Sequence, residues 1–350
     1  MFRRRGWLIR RLLNTLFVTS PDAYLAKDGE NIVVQVEGKE KLRLPIHTLE
    51  SIVSFGYAGA SPALMYLCAK MGVGLSFHNE YGKFLARVNG PTQGNVLLRK
   101  KQYQNSSNET ALKIACNCIA AKILNCKTVL QRAVRDHEQT VSVSILNDVS
   151  AKLVDAKNSL LKADNLETIR GIEGDAARCY FSVFSELILV EKDKFFMNQR
   201  SKRPPKDPVN ALLSFVYTML AHDVKSALES VGLDPYVGFL HRDRPGRASL
   251  ALDIMEELRP VLADRLVLSL INRKQISYKD FILKENGGVI LKDEARNTVL
   301  STLHKRKQEE ILHPFLNQKI KIGLVPFVQS MLLARYLRDD IDGYPPFFWK

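Results

Sequence analysis

The chain changes texture at Asn89-Gly90-Pro91-Thr92-Gln93-Gly94, and this change constrains the fold most. Glycine, proline and short polar residues at that density propagate neither helix nor strand, so the segment reads as a linker. Before it, short β-branched runs are broken by turn residues. After it, long stretches rich in Ala, Leu and Lys run nearly free of Gly and Pro. The expected fold class is α+β, with a small β-rich domain followed by a large all-α domain. A length of 350 residues agrees with two domains at roughly 100–200 residues each. The expected divisions are 1–11, 12–90, 91–98, 99–340 and 341–350: a basic extension, the β-rich domain, the linker, the helical domain and a tail.

Within the first domain, Ala23–Lys27 meets a hairpin turn at Asp28-Gly29, and Asn31–Glu37 is β-branched. Lys41–Ile46 alternates polar and apolar residues, the period of a half-buried strand. Ser51–Phe55, Val73–Phe77 and Lys83–Val88 read as further strands. One helix interrupts them: Ser61 caps it, Pro62 opens it, and Ala63–Met71 follows without a breaker. Beyond the linker, helices are expected at Ala111–Arg135, Glu167–Leu189, Val209–Ser230 and Ala248–Asn272. A small hairpin is expected at Phe281–Leu291, then helices near Glu294–Leu312 and Val325–Arg338.

Met1–Arg11 carries five arginines and no acid. The apolar run that follows is interrupted by Asn14 and Thr15 and lacks a small-residue cleavage site, so it reads as a first strand and not a signal peptide. No run reaches the roughly 18–20 apolar residues that span a bilayer. Five scattered cysteines form no CxxC pair and fit free thiols in a reducing cytoplasm. The formal charge of +14 favours a polyanionic partner, nucleic acid before an anionic membrane.

GxSxG, HExxH, GxGxxG and GxxxxGK[ST] are all absent, which disfavours nucleophilic hydrolases, zincins, dinucleotide enzymes and P-loop NTPases. Three segments could carry chemistry. In Ile169–Arg178, Glu173 lies between Gly171 and Gly174 on a helix, with room beside it for a ligand; the alternative is a solvated surface carboxylate. In Gly238–Arg247, His241 opens a loop with Arg242, Arg244 and Arg247, and could be a metal ligand, an acid–base group or a capping histidine. In Asp253-Ile254-Met255-Glu256-Glu257, three carboxylates crowd one helix, which calls for a proton, a cation or escape to water beside Arg259 or Arg265. A carboxylate, imidazole and carboxylate set suits Mg²⁺ or Mn²⁺. Among arginines, such a set fits phosphoryl transfer on nucleic acid. Arg200, Lys202 and Arg203 form the densest basic loop, with Arg99-Lys100-Lys101 and Lys305-Arg306-Lys307 as other basic runs.

These motifs, with Asp207–Phe215 ahead of the histidine, resemble the CRISPR-associated spacer-acquisition integrases, the "Cas one" family. Residues 13–25 are similar to its subtype I-C branch. The resemblance implies a β-rich dimerisation domain, a helical catalytic domain, a homodimer, and a complex with the small "Cas two" protein. It implies a cytoplasmic, nucleoid-associated enzyme with no membrane partner. It carries the metal ligands onto Glu173, His241 and Glu256, with Asp253 assisting, and suggests phosphate contacts at Arg244 and Arg247 and from Arg200, Lys202 and Arg203. The implied reaction joins the 3′-hydroxyl of a short DNA duplex, the prespacer, to a phosphodiester at the leader–repeat end of a CRISPR array. Metal-dependent endonuclease activity accompanies it. A non-catalytic DNA scaffold and a structure-specific nuclease without integration are the alternatives.

Overall fold

The computed structural model describes residues 15–18, 20–49, 51–79, 84–88, 90 and 96–349. The expected basic extension and most of the expected linker lie outside the described residues. The chain forms two compact units. One takes the described residues up to Thr92 with Leu303–Leu312 and Lys319–Val325; the other takes Gln93–Thr302, His313–Gln318 and the residues from Pro326 onward.

The first unit is built on β1 (Thr15–Val18), β2 (Tyr24–Asp28), β3 (Asn31–Val36), β4 (Lys39–Pro45), β5 (Ser51–Phe55), α1 (Pro62–Met71), β6 (Gly74–His78) and β7 (Phe84–Val88). Strands β2, β3 and β4 form an antiparallel meander. The other sheet has the order β1-β5-β6-β7. Here β1 runs parallel to β5 and β5 parallel to β6, with α1 as the crossover between them. Only β7 is antiparallel, to β6. The Ser61 side chain accepts the Leu64 N–H at 3.2 Å and Gly72 closes the helix at φ 68°, as a Ser-Pro start and a glycine stop dictate. Leu25, Ile32, Ile46, Ile52, Leu64 and Leu75 meet in the core of this unit.

The second unit begins with α2 (Val96–Asn105), so positions 96–98 of the expected linker are helical. Then come α3 (Glu109–His137), α4 (Val143–Leu160), α5 (Leu166–Ser182), α6 (Pro208–Ser230), α7 (Ser249–Leu258) and α8 (Arg265–Asn272). The chain continues through β8 (Phe281–Leu283), β9 (Val289–Leu291), α9 (Asp293–Gln308), β10 (Glu310–His313), β11 (Gln318–Lys321) and α10 (Val325–Leu337). The α+β class, with strands first and helices after, is the observed one.

Helix α3 is the axis of the second unit, packing on α4, α5 and α7. Its Asn108 cap accepts the Thr110 N–H at 2.8 Å. Where one helix was expected over 248–272, α7 and α8 are separated by a π-helical stretch at Arg259–Asp264. Pro260 explains the break: it has no N–H to donate, and its ring would collide with the Glu256 carbonyl one turn back. The helix expected at Glu167–Leu189 ends at Ser182 and gives way to a 3₁₀ turn at Phe184–Leu187. The β10–β11 hairpin replaces the end of the helix expected to reach Leu312. All five cysteines are free thiols. No described helix is long and apolar enough to cross a membrane.

Candidate functional site

Glu173 stands on the inward stripe of α5, in helical register with buried Ile169, Ala176 and Tyr180. Its side chain keeps only 27% of its exposure, which rules out the free surface carboxylate. The glycines beside it leave the opposite face bare: a Cβ at Gly171 or Gly174 would meet nothing within 4 Å. Across from Glu173 lies α7, whose Asp253, Glu256 and Glu257 are all buried.

The crowding of those three carboxylates is relieved by divergence, each finding its own partners. Asp253 turns to the loop before α7. Its Oδ2 accepts the N–H groups of Phe239 at 2.6 Å and Leu240 at 3.0 Å, and its Oδ1 accepts that of His241 at 3.0 Å. The same Oδ1 lies 2.5 Å from His241 Nδ1. Arg170, one turn before Glu173, donates from Nε to the Leu240 carbonyl at 2.7 Å and so ties α5 to the same loop. His241 is therefore held by its backbone and by Nδ1. Its Nε2 is directed to Glu256, 4.0 Å from Oε1.

Glu256 is drawn the other way. Lys122, buried on α3, lies 2.6 Å from Glu256 Oε2 and also makes a close ion pair with Glu173 Oε1. Arg259 Nη1 lies 2.7 Å from Glu256 Oε1. Burial by itself raises the Glu256 pKa, but Arg259, Lys122 and His241 together hold it down at about 2. Glu173 and Glu256 thus meet on one buried ammonium, and His241 Nε2 faces the other oxygen of Glu256, the three coming from distant stretches of chain. Among the described residues, no group of three His, Cys, Asp or Glu side chains has closed on a common cation position. The donor set nonetheless fits a divalent ion. It offers two carboxylates and an imidazole whose other nitrogen is fixed by a carboxylate, the arrangement that orients histidine toward a metal. The point between the carboxylates already takes a positive charge.

The cations singled out from the sequence divide into two groups. Arg200 is half-buried and built into the fold, donating to the Ser201 carbonyl at 2.6 Å, to Asn210 Oδ1 at 2.5 Å and to Ser214 Oγ at 3.2 Å. It also lies over the Tyr217 ring, as Arg259 does. Lys202, Arg203 and Arg244 are exposed, and Arg247 is half-buried. Burial, then the neighbouring Arg244, Arg170 and Arg203, lower the Arg247 pKa. That makes a cluster of positive charge on the side of the site where His241 lies.

The family model described as CRISPR associated protein Cas1 matches residues 16–305. A CRISPR-associated endonuclease Cas1 of Chlorobaculum tepidum is 49% identical over 343 residues, covering 98% of this chain and 100% of that protein. The chain belongs to the Cas1 family. Another Cas1 endonuclease, of Rhodospirillum rubrum, is 50% identical over 348 residues, with 98% and 100% coverage. Among solved structures, a CAS1 protein from Thermotoga maritima shares the fold at a TM-score of 0.80 and 23% identity, covering 96% of this chain and 100% of that one. A casposase bound to integration product does so at 0.83 and 23%, covering 97% and 95%. A Cas6-RT-Cas1–Cas2 complex contains a chain matched at 0.79 and 23%; the match covers 97% of this chain and 36% of that one.

Reading the sequence missed Lys122, Asn125, Arg170 and the last residues of this Cas1-family chain. Lys122 had a signal: it falls on the apolar stripe of α3, with Cys118, Ile119, Cys126 and Val129 at helical spacing. The tail had none. Tyr344 and Phe347 are buried, and both reach the third carboxylate. The Tyr344 hydroxyl donates to Glu257 Oε1 at 2.5 Å, and the Phe347 N–H to Oε2 at 2.9 Å. Asn125 bonds the carbonyls of Glu257 and Phe347 and accepts the Trp349 N–H. Trp349 itself is stacked between Arg132 and Arg265, each 4.1 Å from its ring centre. The tail thus clamps the residue next to Glu256.

Gly238 is required by close approach. A Cβ there would lie 2.7 Å from Asp253 Oδ2 and 2.8 Å from Ser249 Cβ. Gly238→Ala should cost about 1–3 kcal/mol of unfolding free energy in denaturant titrations. It should also lower activity, because the loop carrying His241 must shift.

Two buried acids set a pH dependence. Burial pushes the Glu257 carboxyl up to about 7 despite its three hydrogen-bond donors, and that of Asp264 to about 6. Both folded-state values lie above the ordinary carboxylate range. Their contribution to stability is complete below about pH 4 and is lost as pH rises through about 6 to 7. For Glu257 the shift is worth about 3 kcal/mol. Glu256 acts in the opposite sense and in another window, losing its contribution as pH falls toward about 2. The thermal midpoint should therefore fall between about pH 5 and pH 8. Glu257→Gln should flatten that fall, and an undiminished slope would assign it to other groups.

Proposed function

We propose that this chain is a metal-dependent DNA integrase of CRISPR adaptation, inserting prespacers at the leader–repeat end of an array, with endonuclease activity from the same site. The observation that supports this most is that Glu173 and Glu256 meet on one buried positive charge while His241 Nε2 faces Glu256. Identity of about half with endonucleases of the family supports it further.

Glu173, Glu256 and Nε2 of His241 would hold Mg²⁺ or Mn²⁺. When bound, such an ion polarises a phosphodiester and lowers the pKa of an attacking hydroxyl. The chain's own groups do the rest. Asp253 fixes the His241 ring and its tautomer through Nδ1. Arg259 keeps Glu256 ionised inside the protein. Arg244, Arg247, Lys202 and Arg203 neutralise phosphates of the DNA on the His241 side, while Arg200 supports that loop from within. The reaction needs no energy donor: a 3′-hydroxyl oxygen forms a new bond to phosphorus as the old 3′-oxygen leaves, so one phosphodiester replaces another. The working assembly is a homodimer, dimerised through the β-rich domain and joined to the small Cas2 protein, on double-stranded DNA.

The test is joining of an end-labelled duplex to a supercoiled repeat plasmid, with and without Mg²⁺ or Mn²⁺. Metal-dependent branched product is expected. Cleavage without branched product would leave only a nuclease, and binding without either would leave only a scaffold.

A further inference from the structure

We propose that Lys122 is an internal counter-ion of the candidate metal centre: it holds Glu173 and Glu256 together in the ion-free protein and is displaced from between them when a divalent ion binds. The proposal rests on the reading of Glu173, His241 and Glu256 as the ligand set and deepens it.

Lys122 is buried in the middle of α3, and its ammonium contacts carboxylate oxygens from two other helices, Glu173 on α5 and Glu256 on α7. Its contacts are with acceptor oxygens of both carboxylates, from two different helices. With Arg259 on the other oxygen of Glu256, two negative charges meet two positive ones. A buried and a half-buried carboxylate facing one point would repel each other without such a charge. Lys122 removes the repulsion and keeps α5 and α7 at the separation that the ligands need.

The same geometry sets a cost. A divalent ion between Glu173 and Glu256 would share their oxygens with an ammonium already in contact with both. Like charges that close in a buried site repel strongly, so binding requires the Lys122 side chain to swing aside on its flexible four-carbon stem. Lys122 is thus a positioning residue whose grip on the carboxylates weakens ion affinity while it protects the ion-free fold. Aspartate or glutamate sites without such a lysine carry no comparable competitor.

The experiment titrates Mn²⁺ into the full chain, following free Mn²⁺ by electron paramagnetic resonance, alongside thermal unfolding with and without Mn²⁺. The variants are Lys122→Met and Lys122→Gln, the second retaining a polar head should the first fold poorly. The expected result is Mn²⁺ binding tightened by about tenfold or more in either folded variant, the direction that loss of a competing buried charge gives. A lower melting temperature without the ion and a larger rise on adding it should accompany this. A lysine that served only packing would lower stability without tightening Mn²⁺ binding. Unchanged or weaker binding in the folded variants therefore overturns the proposal. Glu173→Gln in the same titration keeps the two ideas separate: if the parent chain binds Mn²⁺ equally well without that carboxylate, the ligand reading fails, and the counter-ion proposal fails with it.

Discussion

Glu173→Gln and Glu256→Gln should each abolish strand joining, by about 10³-fold or more, while duplex binding in a gel-shift assay stays near that of the parent. On the proposed reading the two effects separate, because binding would rest on many distributed cations and the chemistry on one point between two carboxylates. The variants should differ in stability. Glu256 is buried between Lys122 and Arg259 at 2.6 and 2.7 Å, so neutralising it strands positive charge inside the protein. Breaking a buried pair in this way costs about 3–5 kcal/mol. Glu173 is more open and shares Lys122 with Glu256, so its loss should cost much less. A duplex-joining assay paired with urea unfolding reads both quantities. Joining that survives in folded Glu173→Gln protein would remove that carboxylate from the mechanism.

Asp253→Ala should be nearly as damaging by a different route. The substitution leaves the N–H groups of Phe239, Leu240 and His241 without their acceptor in a buried loop, at about 1–3 kcal/mol for each unsatisfied group. It also frees the His241 ring, and loss of such an orienting partner costs about 10–100-fold in metal affinity or activity. Asp253→Asn separates the two effects. It keeps the volume and one acceptor oxygen, so much of the loop should survive, while the contact to Nδ1 changes character. Imidazole ¹⁵N shifts report the His241 tautomer directly. An unaltered tautomer with full joining activity in Asp253→Asn would show that Asp253 serves only the loop.

Local chemistry made much of the fold legible. Ser61-Pro62 and Gly72 bound α1 because capping and φ preferences act within a few residues. The long helices α3 and α6 follow from runs without breakers. The fragmentation of the expected 248–272 helix was also encoded, in Pro260, but its form as a π-helical stretch depends on the packing around it. The parallel pairing of β1 with β5 was not legible, since hairpin signals speak only of neighbours in sequence. Neither was the assignment of Leu303–Leu312 and Lys319–Val325 to the first unit.

At the site the division is similar. Glu173, His241, Glu256 and Asp253 were legible as residue types in telling contexts. Their partners were not. Asp253, Glu256 and Glu257 look like one acidic patch in sequence, but in the structure they serve a loop, an ion-pair centre and the chain's tail. The basic loop looked uniform, yet Arg200 is committed internally while Lys202 and Arg203 remain exposed.

The sequence by itself determined the segregation of strands from helices, the basic character and which residue types make up the candidate site, because propensity, periodicity and charge are properties of short stretches. Only the tertiary structure decided that a lysine from α3 stands between carboxylates of α5 and α7, and that the final residues lock Glu257. Lys122 and Glu256 are 134 positions apart, and Glu257 and Phe347 are 90 apart; the energies of such contacts arise from burial and distance, which no local pattern contains.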